Sequence, residues 1–326
     1  MKITTTLKIV TGAALTSILI WILSKQANLF DVANLLKSLP ISVVLAGFVL
    51  YVSGHLGRAV RFSRLLGWKG SLHELFCIVC VHNLFVNTLP ARSGELSYLY
   101  MTKKRDIPLT KGGPTLILAR IFDLISIALL LLVSVFFAGT SSPLLSKISV
   151  WVAVLLILCF VCLFALIRFS TAILGFFHKL FSKIGFGGKK PVKWLLEKGG
   201  EIADSFNVLN SIGKFLEQLG YSVFIWGVRF VFFFLITKGL GVNLGLWVGI
   251  IAISLPILST FLPIQGIGSF GTLEGIWALS FMALGVSKEA AVLSGFGFHL
   301  VFLLFTVLTG LYGFIFLRVS KLAKKS

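Results

Sequence analysis

Charge is scarce in this chain, and negative charge is the scarcest. Only 13% of the 326 residues are charged and 11 are acidic. The aspartates stand apart at Asp31, Asp106, Asp123 and Asp204, so no Asp-x-Asp pair of a metal-dependent sugar transferase can form. No Gly-x-x-x-x-Gly-Lys-Ser/Thr loop is present, which argues against direct ATP use. Long polar tracts and low-complexity repeats are missing, and no segment has the composition of a water-soluble second domain. Cysteine is limited to Cys77-x-x-Cys80 and Cys159-x-x-Cys162. Both pairs sit in apolar runs without polar neighbours to complete a cluster, so they read as packing residues. No metal, no cofactor and no catalytic residue set is expected.

What is abundant is hydrocarbon: 57% hydrophobic residues, 31 Phe and a mean hydropathy of +1.00. Soluble domains carry about 25% charged residues, so this composition belongs in a bilayer. Spans need about 18–25 consecutive apolar residues, and segments near 7–24, 41–57, 115–137, 149–167, 221–240 and 292–317 qualify. Lys2 and Lys8 precede the first of these. No small-x-small cleavage pattern follows it, so it reads as a retained helix. The expected fold is a single transmembrane domain over 1–326, an all-α polytopic helix bundle.

Two hydrophobic stretches are interrupted by a proline, glycines and a glutamate: Asn87–Glu95 (NTLPARSGE) and Phe261–Glu274 (FLPIQGIGSFGTLE). Pro90, Gly94, Pro263, Gly266, Gly268 and Gly271 are the expected breaks. They divide 72–100 and 246–286 into descending and returning pieces, read as re-entrant or broken hairpins. Interrupted segments at matching places in two halves point to a binding site at the interface of inverted repeats. The halves are taken as 1–140 and 149–317. Gly266-x-Gly268-x-x-Gly271 matches a dinucleotide fingerprint in letters only, because no strand precedes it.

The net charge of +19 would raise nucleic acid as a partner in a soluble protein. Here the basic residues flank the spans, and no nucleic acid is expected. With the N-terminus inside, 22 lysines and arginines fall on the cytoplasmic side, among them Arg58 and Arg61, against five outside. Both termini are therefore predicted inside. Residues 168–220 form a basic cytoplasmic segment. Its lysines alternate with Phe, Trp and Leu, so it either lies on the anionic inner leaflet or serves as a solvated connector.

An ionisable group at the bilayer centre costs about 2.5–3.5 kcal/mol on insertion scales and calls for a partner, a cavity or a task. Arg92, Glu95, Arg120, Asp123, Arg229 and Glu274 are such groups. Arg92 and Glu95 lie in the first break, where a guanidinium fork suits phosphate. Arg120 and Asp123, at i and i+3, share a helix face and pair either with each other or with the first break. Arg229 either snorkels or faces the interior. Glu274 either exchanges protons or forms a fixed cap or ion pair with Arg92 or Arg229. Asn87, Gln265 and Ser269 are neutral groups placed to complete a headgroup site, and His82 and His299 read as hydrogen-bonded core residues. Gly295 and Gly297 serve helix packing within one subunit or between copies of a homo-oligomer.

In these motifs the chain resembles the flippase-like family named for the transmembrane region of lysylphosphatidylglycerol synthase. The resemblance runs from Arg58–Arg64 and Asn87–Glu95 through Arg120–Asp123 to Pro263–Glu274 and Gly285-Val286, most of the chain. Ala119 departs from the acidic residue usual before Arg-x-x-Asp. The resemblance implies a prokaryotic inner-membrane protein with paired re-entrant elements that moves an amphipathic lipid between leaflets. It carries over Asn87, Pro90, Arg92, Gly94, Glu95, Arg120, Asp123, Pro263, Gly268 and Glu274. Family synthases add a soluble aminoacyl-transfer domain; none is read in this chain, so lysyl transfer is not expected. The predicted function is a flippase for a phosphate-bearing phospholipid or polyprenyl-phosphate lipid. The rivals are an integral-membrane enzyme of glycosyl transfer to a lipid-linked substrate and a scaffold for envelope synthesis.

Overall fold

In the computed structural model the described residues are 29–139, 147, 150–165, 175–176, 190–206, 211–262 and 265–323. They are helical, with no strand among them. The elements are α1 (Leu29–Ser38), α2 (Ile41–Leu66), α3 (Leu72–Thr88), a 3-10 turn (Pro90–Arg92), α4 (Glu95–Lys103) and α5 (Leu109–Ala138). There follow α6 (Val150–Ala165), α7 (Lys190–Phe206), α8 (Ile212–Gly239), α9 (Leu246–Ser259), a second 3-10 turn (Ile267–Ser269), α10 (Thr272–Met282) and α11 (Lys288–Ala323).

Local chemistry sets these limits. Pro40 precedes α2, and Gly67 ends it at φ 55°, the left-handed conformation glycine tolerates. The Ser71 and Ser211 hydroxyls cap α3 and α8 by accepting from the N–H groups of Glu74 and Lys214. α2, α5, α8 and α11 have the length and composition to cross a membrane. Even α2, with 26 residues, extends ~39 Å at a rise of ~1.5 Å per residue, beyond the ~30 Å hydrocarbon core. These four correspond to expected spans. The segment expected at 149–167 is the shorter helix α6, and the one at 7–24 lies outside the described residues.

The surface is inverted relative to a soluble protein. Phe136, Trp151 and Ile41 are exposed, whereas Arg58, Arg61, Asp123, Glu274 and His299 are buried. The protein is an integral membrane helix bundle. Its core is aromatic: Trp277 stacks on Phe281 and Phe298 with ring centroids 4.6 and 4.7 Å away.

Side-chain contacts give the helix directions. A Cβ on Gly47 would meet Ile236 and one on Gly57 would meet Ile225, so α2 and α8 run antiparallel. His73 Nε2 lies 2.7 Å from the Tyr312 hydroxyl, and Gly310 faces Leu84, so α3 and α11 are antiparallel too. Arg64 pairs with Glu217 across the first of these interfaces. One pole thus gathers Arg64, Lys69, Lys103 to Arg105, Lys111 and Arg318, and the opposite pole holds Lys37, Lys238 and Lys288. α7, within the basic segment, docks on the start of α5, where Glu201 accepts from Thr110 at 2.6 Å and Ser205 donates to the Thr110 carbonyl at 3.0 Å. Gly295 and Gly297 pack inside the chain, against Trp277 and against Leu240 and Leu35.

Two expectations need correction. Arg58 and Arg61, counted in the sequence among the basic flanks, do not point outward into solvent. α2 continues nine residues beyond the apolar run to Leu66, and both guanidiniums turn into the bundle, 8% and 1% exposed.

Candidate functional site

Both interrupted stretches fold as helix, 3-10 turn, helix. In the first, α3 ends at Thr88, Leu89 is extended, and Pro90 opens the turn with a φ suited to that position. Arg92 then takes φ 55°, an uncommon conformation for a residue with a side chain. Gly94 is required for another reason: a Cβ there would sit 2.2 Å from the Phe85 carbonyl carbon and oxygen. The first break therefore lies directly on the α3 backbone. Arg105, just beyond α4, pairs with Glu74 near the start of α3 at 2.5 Å, so the two ends of this hairpin adjoin.

The second break begins after α9. Gly268, Ser269 and Gly271 have φ of 64°, 60° and 81°. Glu274, in the first turn of α10, accepts from the Gly271 N–H at 2.7 Å and caps the returning helix. Ser280 donates to the Ala252 carbonyl at 2.6 Å, closing this hairpin on itself. Pro263 lies outside the described residues, while Gly266 is extended and precedes the turn.

The breaks meet. Arg92 Nη1 donates to the Thr260 carbonyl at 2.5 Å, and Phe261 presents its ring to Arg92 and Arg120 with guanidinium carbons 5.4 and 5.8 Å from the centroid. Glu95 Oε1 accepts from Arg120 at 2.6 Å and lies 3.0 Å from Arg92. Asp123 pairs chiefly with Arg61, at 2.6 Å with a second contact at 3.4 Å, and Arg61 also donates to Ser222. Arg120 reaches Asp123 only at 3.9 Å. The Arg120–Asp123 face thus joins the first break through Glu95 and joins α2 through Arg61.

These elements enclose a cavity of about 70 Å³ lined by Arg58, Arg92, Arg120 and Arg229. One water needs about 10–15 Å³ on this scale. The space therefore holds a few waters or one compact group, and no acyl chain. Each arginine comes from a different element: α2, the first break, α5 and α8. Asn83, Asn87, Gln265, Ser269, His82 and His299 complete the polar lining. Ser269 donates to Gln265 Oε1 at 2.6 Å, and Asn87 donates to the Asn83 carbonyl at 2.8 Å.

Among the described residues neither Arg58 nor Arg229 has a carboxylate within 4.0 Å. Arg58 Nε has no hydrogen-bond partner, and Arg229 rests on the Trp226 ring at 5.0 Å. A buried cation without a counter-charge is costly, so the arrangement favours an anion in the cavity. On the opposite side of α3 and the first break lies an apolar groove of about 580 Å³, lined by Val81, Phe85, Leu96 and Phe314 with Lys104 and Arg318.

Of the residues singled out in the sequence, Asn87, Arg92, Arg120, Arg229, Gln265 and Ser269 line the cavity, and Glu95 and Asp123 stand behind its arginines. Glu274 does not line it and pairs with neither Arg92 nor Arg229. It is fully buried with its Oε1 2.5 Å from His299 Nδ1. The residues that sequence reasoning missed as site members are Arg58, Arg61, Phe261, Asn83, His82 and His299. For all but Phe261 the signal was a polar group within an apolar helix, which marks an interior position without naming its partner; Phe261, an apolar residue just past α9, carried no such signal.

Residues 9–310 match the family described as the lysylphosphatidylglycerol synthase transmembrane region. The chain belongs to that family. It is also similar to glycosyltransferase AglD of Haloferax volcanii, 28% identical over 131 residues. That match covers 39% of this chain and only 21% of the relative's length.

Proposed function

We propose that this protein is a lipid transporter: it binds a phosphate-bearing headgroup in the arginine cavity and moves the lipid between leaflets while the tail stays in hydrocarbon. The observation that carries the reading is the convergence of four guanidiniums from four elements on one cavity, two of them without carboxylates. In this reading the hairpins are re-entrant from opposite faces, the halves 1–140 and 149–317 form an inverted repeat, and the cavity lies near the midplane. The basic pole faces the cytoplasm of a prokaryotic cell, with both termini inside and anionic inner-leaflet lipids along the basic segment. In this reading the apolar groove across α3 and the first break from the cavity receives hydrocarbon. Glu274, buried behind the lining, and His299, which forms part of it, are the candidate carriers of a coupling proton.

The test is reconstitution into vesicles containing a fluorescent phosphate-bearing lipid, with leaflet exchange read by quenching from outside. Exchange above that of empty vesicles, lost in Arg92→Ala and Arg229→Ala with folding retained, supports transport. Equal exchange in wild type and both variants overturns it. The similarity to AglD favours a second reading, glycosyl transfer to or from a lipid phosphate held in the same cavity. Formation of a sugar-bearing lipid by the purified protein, without leaflet exchange, would decide for that alternative.

A further inference from the structure

We infer that the cavity selects a phosphomonoester, a phosphate joined to its lipid by one ester bond, over the phosphodiester of ordinary phospholipids. The inference rests on the headgroup reading above and specifies its chemistry.

Charge is the first observation. Five guanidiniums, Arg58, Arg61, Arg92, Arg120 and Arg229, surround or back the cavity. Only Glu95 and Asp123 oppose them at contact distance among the described residues, an excess of three positive charges. Glu274 faces His299 and contacts none of the five guanidiniums. A phosphodiester brings one negative charge and would leave at least one buried guanidinium uncompensated. A phosphomonoester brings about −1.5 to −2 at pH 7, which offsets more of that excess.

Shape is the second and is independent of charge. The cavity is about 70 Å³. A monoester enters with three unsubstituted oxygens and a single link toward the tail. A diester must also place its second substituent among Trp226, Phe233, Phe298 and Phe302, which line the same space. Donors come from several elements: Arg58, Arg229, Arg92 and Arg120. Converging donors of this kind match three free oxygens better than two.

The experiment uses the full chain in detergent at pH 8, where a monoester is close to fully ionised. Thermal stabilisation and native mass spectrometry compare dioleoyl phosphatidic acid, a monoester, with dioleoyl phosphatidylglycerol, a diester bearing identical tails. Dioleoyl phosphatidylcholine and inorganic phosphate are the reference probes. The expected result is at least tenfold tighter binding of phosphatidic acid than of phosphatidylglycerol, with the preference reduced to less than threefold in Arg58→Gln and Arg229→Gln. Equal binding of the two anionic lipids, both above phosphatidylcholine, overturns the monoester preference and leaves the headgroup site standing. Binding of neither above phosphatidylcholine overturns both. Stabilisation by inorganic phosphate equal to that by phosphatidic acid overturns a lipid ligand in favour of free phosphate.

Discussion

At the residue scale the five interior arginines divide by partner, and the division predicts opposite mutational behaviour. Arg61 is held to Asp123 at 2.6 Å with both groups 1% exposed. Removing one member of a buried pair typically costs about 3–5 kcal/mol, so Arg61→Ala is expected to lower the melting temperature in detergent markedly. Arg58 and Arg229 have no carboxylate to abandon. Arg58→Ala and Arg229→Ala should leave thermal stability unchanged or raised while weakening lipid binding ~10–100-fold, since a charge-assisted hydrogen bond contributes about 1.5–3 kcal/mol. A thermal scan beside a binding titration separates the two classes. Glu274→Gln makes a different test: the amide oxygen can still accept from Gly271 and the amide nitrogen can still donate to His299. Lipid binding and stability should therefore persist in Glu274→Gln, while transport driven by a pH gradient is lost; undiminished gradient-driven transport would remove Glu274 from the coupling step. Most of these residues were legible individually, because an ionisable group in an apolar run has few bland explanations. Their pairing was not, since Arg61–Asp123 and Glu274–His299 join residues 62 and 25 positions apart.

At the scale of elements the two breaks act through backbone geometry. Gly94 permits the first break to rest on α3, and an added Cβ would lie 2.2 Å from the Phe85 backbone, which cannot yield as a side-chain tip can. Gly94→Ala should displace Arg92 from Thr260 and abolish lipid binding, with loss of folded yield. Gly113→Ala is its control: Gly113 lies within α5 with nothing within 4 Å of an added Cβ, and the exchange should raise stability by up to ~1 kcal/mol through helix propensity. Folded yield and binding measured on both variants check the contrast, and comparable behaviour of the two would remove the close approach as the reason for Gly94. Proline and glycine announced both interruptions in the sequence. The contact between the interruptions rests on Arg92 reaching a backbone carbonyl 168 residues away, for which no local pattern exists.

For the whole molecule, the antiparallel packing of α2 on α8 and of α3 on α11 separates a basic pole from a sparsely charged one. Single cysteines replacing Lys69 or Arg318, in a Cys162→Ser background, should react with an impermeant thiol reagent only from the cytoplasmic side of oriented vesicles. Lys37→Cys and Lys238→Cys should react only from the other side. Labelling of Lys69→Cys and Lys238→Cys from the same side would overturn the proposed orientation and, with it, the opposed entry of the two hairpins.

The sequence by itself determined that the chain is a membrane helix bundle, that two of its hydrophobic stretches are broken, and which interior charges need explanation. Those properties follow from composition, run length and the backbone limits of proline and glycine, all of which act locally. Tertiary structure alone decided that Arg58 and Arg61 turn inward, that Glu274 serves His299 and not an arginine, and that four guanidiniums share one cavity. Each of these depends on which face of one helix meets which face of another, and in a chain hydrophobic on nearly every face the periodic pattern that would reveal it is absent.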